Sequence, residues 1–344
     1  MDDFWFVPYH AYSTSNEYDE KALRFFETDI KFAQKIGIKN LIMEDYYKTF
    51  LWGEYTSFWN KRNFAKMIDI THDYGLKFIP YTNATELSIQ SETYKKNGKI
   101  WGAKNRWGKI YSGFNSIFLP KYYPNPKLTF FTKLMCPISG WKDYLIKQIE
   151  ELLENFEIDG IYFDRVDYRI NCFDHSTIKE HFEEGIPNLL GQIVRVVKNK
   201  SQHNISIMND SCMPPDDILK KNLDCIDMVL SELLPIDWNP NSLLNTLNLY
   251  FGDIAWRLRK YLLPITRLIT EKQFQSKSMT NFPRISSIVE RLKRHKTPDN
   301  IILFTHRRDE IGFKSIKKIA KSKGCKIAYF VGLKKLISLK NWQI

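Results

Sequence analysis

Cysteine is scarce in this chain and never paired. The five residues, at 136, 172, 212, 225 and 325, are widely spaced and form no CxxC. That spacing supports neither a disulfide framework nor a zinc ribbon, and reduced thiols in a cytosol are the expectation. Patterns such as HExxH, an EF-hand loop, a P-loop and GxSxG are missing as well. No metal and no cofactor is therefore expected. Cys136 sits beside Pro137 with no His nearby in sequence, so nucleophilic Ser or Cys catalysis has no support. No stretch approaches 18 consecutive apolar residues, which excludes a membrane-spanning helix. The start, Met-Asp-Asp-Phe-Trp, lacks the basic and apolar regions of a signal peptide, and a cytoplasmic location is expected.

What is abundant is apolar and basic. Hydrophobic residues make up 43% of 344, enough for a sizeable core, and the net charge is +12. A basic chain raises the question of nucleic acid. However, 37 of the 51 basic residues are Lys, scattered apart from short clusters near 314–326 and 333–340. No zinc-finger, RNP or recognition-helix motif accompanies them, so a nucleic-acid partner is not expected.

Strand-like and helix-like runs alternate. Strand candidates are Phe4–Tyr9, Lys39–Met43, Lys77–Tyr81, Ile158–Asp164, Ile205–Met208, Met228–Leu230, a weak one near Leu263–Ile265, and Ile301–Phe304. Helix-period segments fall at about 19–36, 58–74, 141–156, 177–200 with a break near Pro187, 243–261 and 285–295. Eight β/α units predict a single-domain (β/α)₈ TIM barrel over residues 1–344. The runner-up, an open doubly wound sheet, lacks a Gly-rich loop after the first strand, where the sequence reads Val7-Pro-Tyr-His-Ala-Tyr. Residues 82–140 form a long insertion after strand three. It is rich in Gly and aromatics, and is expected over the catalytic face. Residues 312–344 give a helix–strand–helix tail.

The most informative run is Ile158-Asp-Gly-Ile-Tyr-Phe-Asp164, preceded by the amphipathic stretch Trp141–Phe156. An acid closing a buried strand sits where α/β folds place their chemistry. Together with Cys136-Pro-Ile-Ser-Gly-Trp-Lys-Asp-Tyr-Leu145, this run resembles the strand-four region of glycoside hydrolases with alpha-amylase-like or alpha-galactosidase-like barrels. The detailed match covers about thirty residues. The resemblance implies that Asp164 is the nucleophile of a glycosidase acting on an oligosaccharide or polysaccharide. The segment Ile301-Ile-Leu-Phe-Thr-His306 and the tail locally resemble the closing unit of polysaccharide deacetylases, without that family's metal motifs.

Glycoside hydrolysis needs two carboxyl groups, one to protonate the leaving oxygen and one to attack or to activate water. Glu232, in Val229-Leu-Ser-Glu-Leu-Leu-Pro235, follows an apolar strand. Poor solvation there suits a general acid, and the resemblance also points to strand six. Asp210 is the rival acid. Arg165 can hold a carboxylate or a sugar hydroxyl through its fork of donors, while Asp167 and Asp174 fit capping. Substrate-positioning candidates at strand ends are His10, Glu44, Asp45, Asn83, Glu86, Asn209 and His306; Trp101 and Trp52 offer faces for stacking. The expected reaction is retaining hydrolysis. The alternatives are a catalytically inactive carbohydrate-binding barrel and a glycan-modifying enzyme such as a deacetylase.

Overall fold

The computed structural model describes residues 3–8, 12, 15–44, 46–116, 130–166, 170–175, 182–210, 216–232, 253–254, 256–257, 282–305 and 310–330. The chain starts with β1 (Asp3–Pro8), α1 (Glu20–Lys35), β2 (Ile38–Glu44), α2 (Lys61–Asp73) and β3 (Lys77–Asn83). A small unit follows: β4 (Glu86–Ser88), α3 (Glu92–Trp101), β5 (Ser112–Asn115) and β6 (Phe131–Leu134). The alternation then resumes with α4 (Trp141–Asn155), β7 (Gly160–Asp164), α5 (Phe182–Lys200), β8 (Ile205–Asn209), α6 (Asp216–Cys225) and β9 (Met228–Glu232). It ends with α7 (Phe282–Lys293), β10 (Ile301–Thr305), α8 (Glu310–Lys323) and β11 (Lys326–Phe330).

Eight of these strands, all parallel, close into a barrel in the order β1-β11-β10-β9-β8-β7-β3-β2. The count of eight is as expected, but the last two strands are not the expected ones. Ile301–Thr305 is the seventh barrel strand, because Val229 of β9 pairs directly with Ile301. The tail supplies the eighth: Ala328 of β11 pairs with Phe304 on one side and Phe4 on the other. The weak strand near 263–265 lies outside the described residues, as does most of the expected helix at 243–261. The helix α5 runs through Pro187 instead of breaking there, and α6 has no counterpart in the sequence reading. No described helix is long and apolar enough to cross a membrane.

Local chemistry explains the frame. Asp19 caps α1 by accepting from the Ala22 N–H at 3.0 Å, and Asn60 caps α2 through Asn63 at 2.9 Å. Inside the barrel, Phe6 packs edge-on against Tyr162 at 5.6 Å and stacks on Phe304 at 5.1 Å. Gly160 is required where β7 meets β8, since a Cβ there would lie 2.1 Å from the Ile205 carbonyl oxygen. That contact is the reason for the glycine in the motif, while the Asp159 carboxylate beside it accepts the Phe78 N–H at 2.8 Å.

The small unit between β3 and α4 is an antiparallel sheet in the order β4-β6-β5. It packs at the end of the barrel that holds Asp164. The Thr85 hydroxyl donates to the Arg165 carbonyl at 2.7 Å, and Phe114 and Phe130 lie against Trp52 at 4.9 and 5.0 Å. Residues 117–129 of the expected insertion lie outside the described residues.

Candidate active site

Parallel strands put all their C-terminal ends on one side, so the last residue of each strand faces a common opening. Here β2 ends in Glu44, β3 in Asn83, β7 in Asp164, β8 in Asn209 and β9 in Glu232. Each is the final residue of its strand, where the sequence reading had placed most of them just beyond it. Asn83 is level with Asp164 in the ladder, and Glu232 is level with Phe304.

Asp164 is the centre of the cluster. Its Oδ2 accepts the Tyr81 hydroxyl at 2.6 Å. Its Oδ1 accepts the Asn209 amide at 2.9 Å and the Arg165 backbone N–H at 2.8 Å. All three partners donate, so both carboxylate oxygens are oriented. Burial first, then the Asp164 charge, pushes the Tyr81 phenol well above its ordinary range, so it stays a donor. Glu44 and Tyr47 act on Tyr81 in the same direction, which places Glu44 within electrostatic reach of the centre.

Arg165 has φ 57°, the one non-glycine residue with positive φ among those described. Holding an Arg in that region costs about 1–3 kcal/mol. The strained turn aims the Arg165 N–H back at the carboxylate of the residue before it. Its Nε lies 3.7 Å from Asp164 Oδ2 and 3.5 Å from Glu86 Oε1. Glu86 is fully buried, and its Oε2 accepts the Thr132 hydroxyl and the Phe114 N–H. Glu86 thus braces Arg165 from the small sheet. Gly113 leaves room for it, since a Cβ there would come within 2.9 Å of the Glu86 carboxylate. Asn83, fully buried, turns the chain from β3 into β4 by accepting the Thr85 and Glu86 N–H groups at 3.0 and 2.9 Å.

The remaining candidates divide. Asp210 is 2% exposed, and its N–H donates to the Leu230 carbonyl at 2.9 Å. Trp52 is buried under Phe114 and Phe130. Trp101 packs on Tyr144 at 5.5 Å beside the start of α4. Asp174 pairs with Lys104 at 2.5 Å. His10, Asp45, Asp167 and His306 lie outside the described residues.

Sequence reasoning missed Tyr81 and Thr132. Tyr81 was visible in principle, because alternation along β3 puts it two residues before Asn83 on the same face. It also missed a second cluster. The Cys136, Cys172 and His175 ligand atoms lie within 4.8 Å of one another, although spacing had argued against any such group. The pattern Cys172-x-x-His175 was the available signal. The hydrogen bond from Cys136, with backbone help at Lys104, His175 and Asp174, holds the Cys172 thiol down to about 4 against the opposing effect of burial.

An eight-stranded parallel barrel with a held carboxylate at the end of its fourth strand defines an α/β-barrel protein with an acidic centre. Residues 43–236 match the profile of a domain of unknown function, DUF6259, and the chain belongs to that family. No curated protein matches the chain. Among solved structures, it resembles an alpha-glucosyl transfer enzyme, XgtA, with TM-score 0.61 at 9% identity, covering 97% of this chain and 68% of that one. It also resembles a cycloisomaltooligosaccharide glucanotransferase from Paenibacillus sp., TM-score 0.53 at 12% identity, covering 88% of this chain. The chain spans 38% of the glucanotransferase's length. These likenesses establish the barrel fold.

Proposed function

We propose that the protein is a carbohydrate-active enzyme that cleaves a glycosidic bond with retention, using Asp164 as nucleophile and Glu232 as general acid/base. The observation that carries this reading is the Asp164 carboxylate. It ends barrel strand four, is 15% exposed, and has both oxygens oriented by Tyr81, Asn209 and the Arg165 N–H. A nucleophile must be presented in one orientation to an anomeric carbon, and fixed donors achieve that. Glu232 ends β9, two strands from β7 in the barrel order. Phe163 is level with Met208 and Met208 with Val229, so Glu232 stands two residues beyond the level of Asp164, on the same face of the sheet. A covalent, retaining mechanism needs the two carboxyl groups ~5 Å apart.

In the first step an Asp164 oxygen attacks the anomeric carbon while Glu232 gives its proton to the leaving oxygen. In the second, Glu232 takes a proton from the incoming hydroxyl as the ester on Asp164 is displaced. The acceptor in that step is water or a sugar hydroxyl. The two solved relatives are named for glucosyl transfer, which favours including transfer beside hydrolysis. The substrate class is an oligosaccharide or polysaccharide.

The test is a panel of fluorinated glycosyl fluorides of both anomers with intact-mass readout. A good leaving group speeds the first step while the ring fluorine slows the second, so a retaining enzyme accumulates a glycosyl ester. Peptide mapping should place it on Asp164. An adduct on another carboxylate overturns the assignment. Turnover of an aryl glycoside to a product of inverted configuration overturns retention.

A further inference from the structure

We propose that Cys136, Cys172 and His175 form a binding site for a thiophilic divalent cation of the zinc class, which staples the loop after Asp164 to the small sheet. Three donor atoms converge there from two separate segments. Cys136 follows β6, and its N–H is tied to the Trp101 carbonyl at 2.8 Å. Cys172 and His175 lie on the loop that leaves β7. Both cysteines are fully buried thiols.

The imidazole decides what the cluster is for. His175 Nε2 lies 2.7 Å from the Ile100 carbonyl oxygen. A carbonyl only accepts, so Nε2 carries the proton. Nδ1 lies 3.2 Å from the Cys172 sulfur, and a thiolate and an imidazole nitrogen at that distance need a proton or a cation between them. A ligating histidine is oriented in this way, with its far N–H donated to a backbone carbonyl and its near nitrogen free to bind. A disulfide between Cys136 and Cys172 would give the fixed imidazole nothing to do.

The spacing suits a tetrahedral ion. Zn–S bonds of ~2.3 Å and Zn–N bonds of ~2.0–2.1 Å put ligand atoms about 3.5–3.8 Å apart. The longest separation here is within 4.8 Å, so a shift of about 1 Å closes the set. Two thiolates and an imidazole select zinc over calcium or magnesium, which take oxygen. Water completes the fourth position. The surrounding backbone is already in place: Phe173 N–H donates to the Lys104 carbonyl at 2.9 Å, and the Tyr111 hydroxyl to the Asn171 carbonyl at 3.2 Å.

The experiment uses the full chain, purified with reductant, stripped with chelator and titrated with Zn²⁺ or Co²⁺. One equivalent should bind. The cobalt form should show thiolate-to-metal charge transfer and tetrahedral d–d bands. Cys172→Ser and Cys136→Ser should each weaken binding by more than the roughly 10–100-fold that loss of an outer-shell partner costs. Cys225→Ser should bind normally. Zn²⁺ should protect two cysteines of the wild type from alkylation, a readout that needs no variant. Folded, reduced wild type that binds neither metal overturns the proposal. So does a cobalt spectrum unchanged by Cys172→Ser, or alkylation of Cys136 and Cys172 that Zn²⁺ does not slow.

Discussion

Asp29 should be a liability at neutral pH, and Asp29→Asn should relieve it. The carboxyl lies on α1, is 7% exposed, and accepts a hydrogen bond from the Tyr12 hydroxyl at 3.3 Å. Burial raises its pKa from 3.8 to about 7, more than the Tyr12 bond lowers it. In the unfolded chain it titrates near its ordinary value. Between these two values the folded state holds a proton that the unfolded state has released, so stability falls as pH rises through the window. This is the reverse of the usual salt-bridged Asp. A shift of about 3 units at ~1.36 kcal/mol per unit sets a ceiling of about 4 kcal/mol on the total penalty. Two of those units lie above pH 5, so the advantage of Asp29→Asn should widen by up to about 2.7 kcal/mol between pH 5 and pH 8. The neutral amide keeps the size of the side chain and can still accept from Tyr12. Urea unfolding of both proteins at pH 5, 6, 7 and 8, fitted with a common slope, measures the gap directly. A gap that is flat with pH, or a variant less stable than wild type at pH 8, would refute the reasoning.

Asp164→Asn should lower turnover of any glycoside found to be a substrate by orders of magnitude with unfolding unchanged, and near-normal rates would remove it as nucleophile. Glu232→Gln should cripple cleavage of a natural-type glycoside more than that of an aryl glycoside, whose leaving group needs little protonation; equal losses would pass the acid role to Asp210. Gly160→Ala drives a Cβ to within 2.1 Å of the Ile205 carbonyl oxygen and should cost about 3 kcal/mol, the upper end for overpacking, since backbone cannot step aside; an unfolding midpoint matching wild type would show that β7 can shift. The hydrogen bond to Asp159 raises the His72 pKa above 6.5. The stabilisation is thus complete below that value and fades as pH climbs through the raised one; the difference between wild type and His72→Gln should shrink from pH 6 to pH 8, and a constant difference would count against it.

The barrel was legible because its strands carry their burial in the sequence. Runs such as Lys77–Tyr81 and Ile205–Met208 are apolar, and each is separated from the next by a helix-period stretch. The seventh and eighth strands were misplaced for a physical reason. Barrel closure is decided by which backbones pair, and the strand read in the tail carries no local sign that Lys326–Phe330 pairs with β1 and β10. The acidic centre was half legible. Asp164 and Asn209 end apolar runs and could be picked out. Tyr81 and Thr132 reach the centre from segments where an aromatic and a threonine look like packing. The thiol cluster was invisible to spacing rules, because Cys136 and Cys172 meet only once the small sheet docks on the loop.

That docking ties the two clusters to one another. Leaving β7, the chain passes through Arg165 in a left-handed turn, a conformation that persists only when neighbours over-determine it. Those neighbours belong to the segment between β3 and α4. Thr85 holds the Arg165 carbonyl and Glu86 faces its guanidinium. Seven residues on, the same loop is caught again by that segment, where Cys172 and His175 meet Cys136 and the Ile100 carbonyl. The loop is therefore held to one unit at two points, and the strained residue beside Asp164 lies between the barrel and that unit. The small sheet thus holds, from outside the barrel, the turn that presents the Asp164 carboxylate.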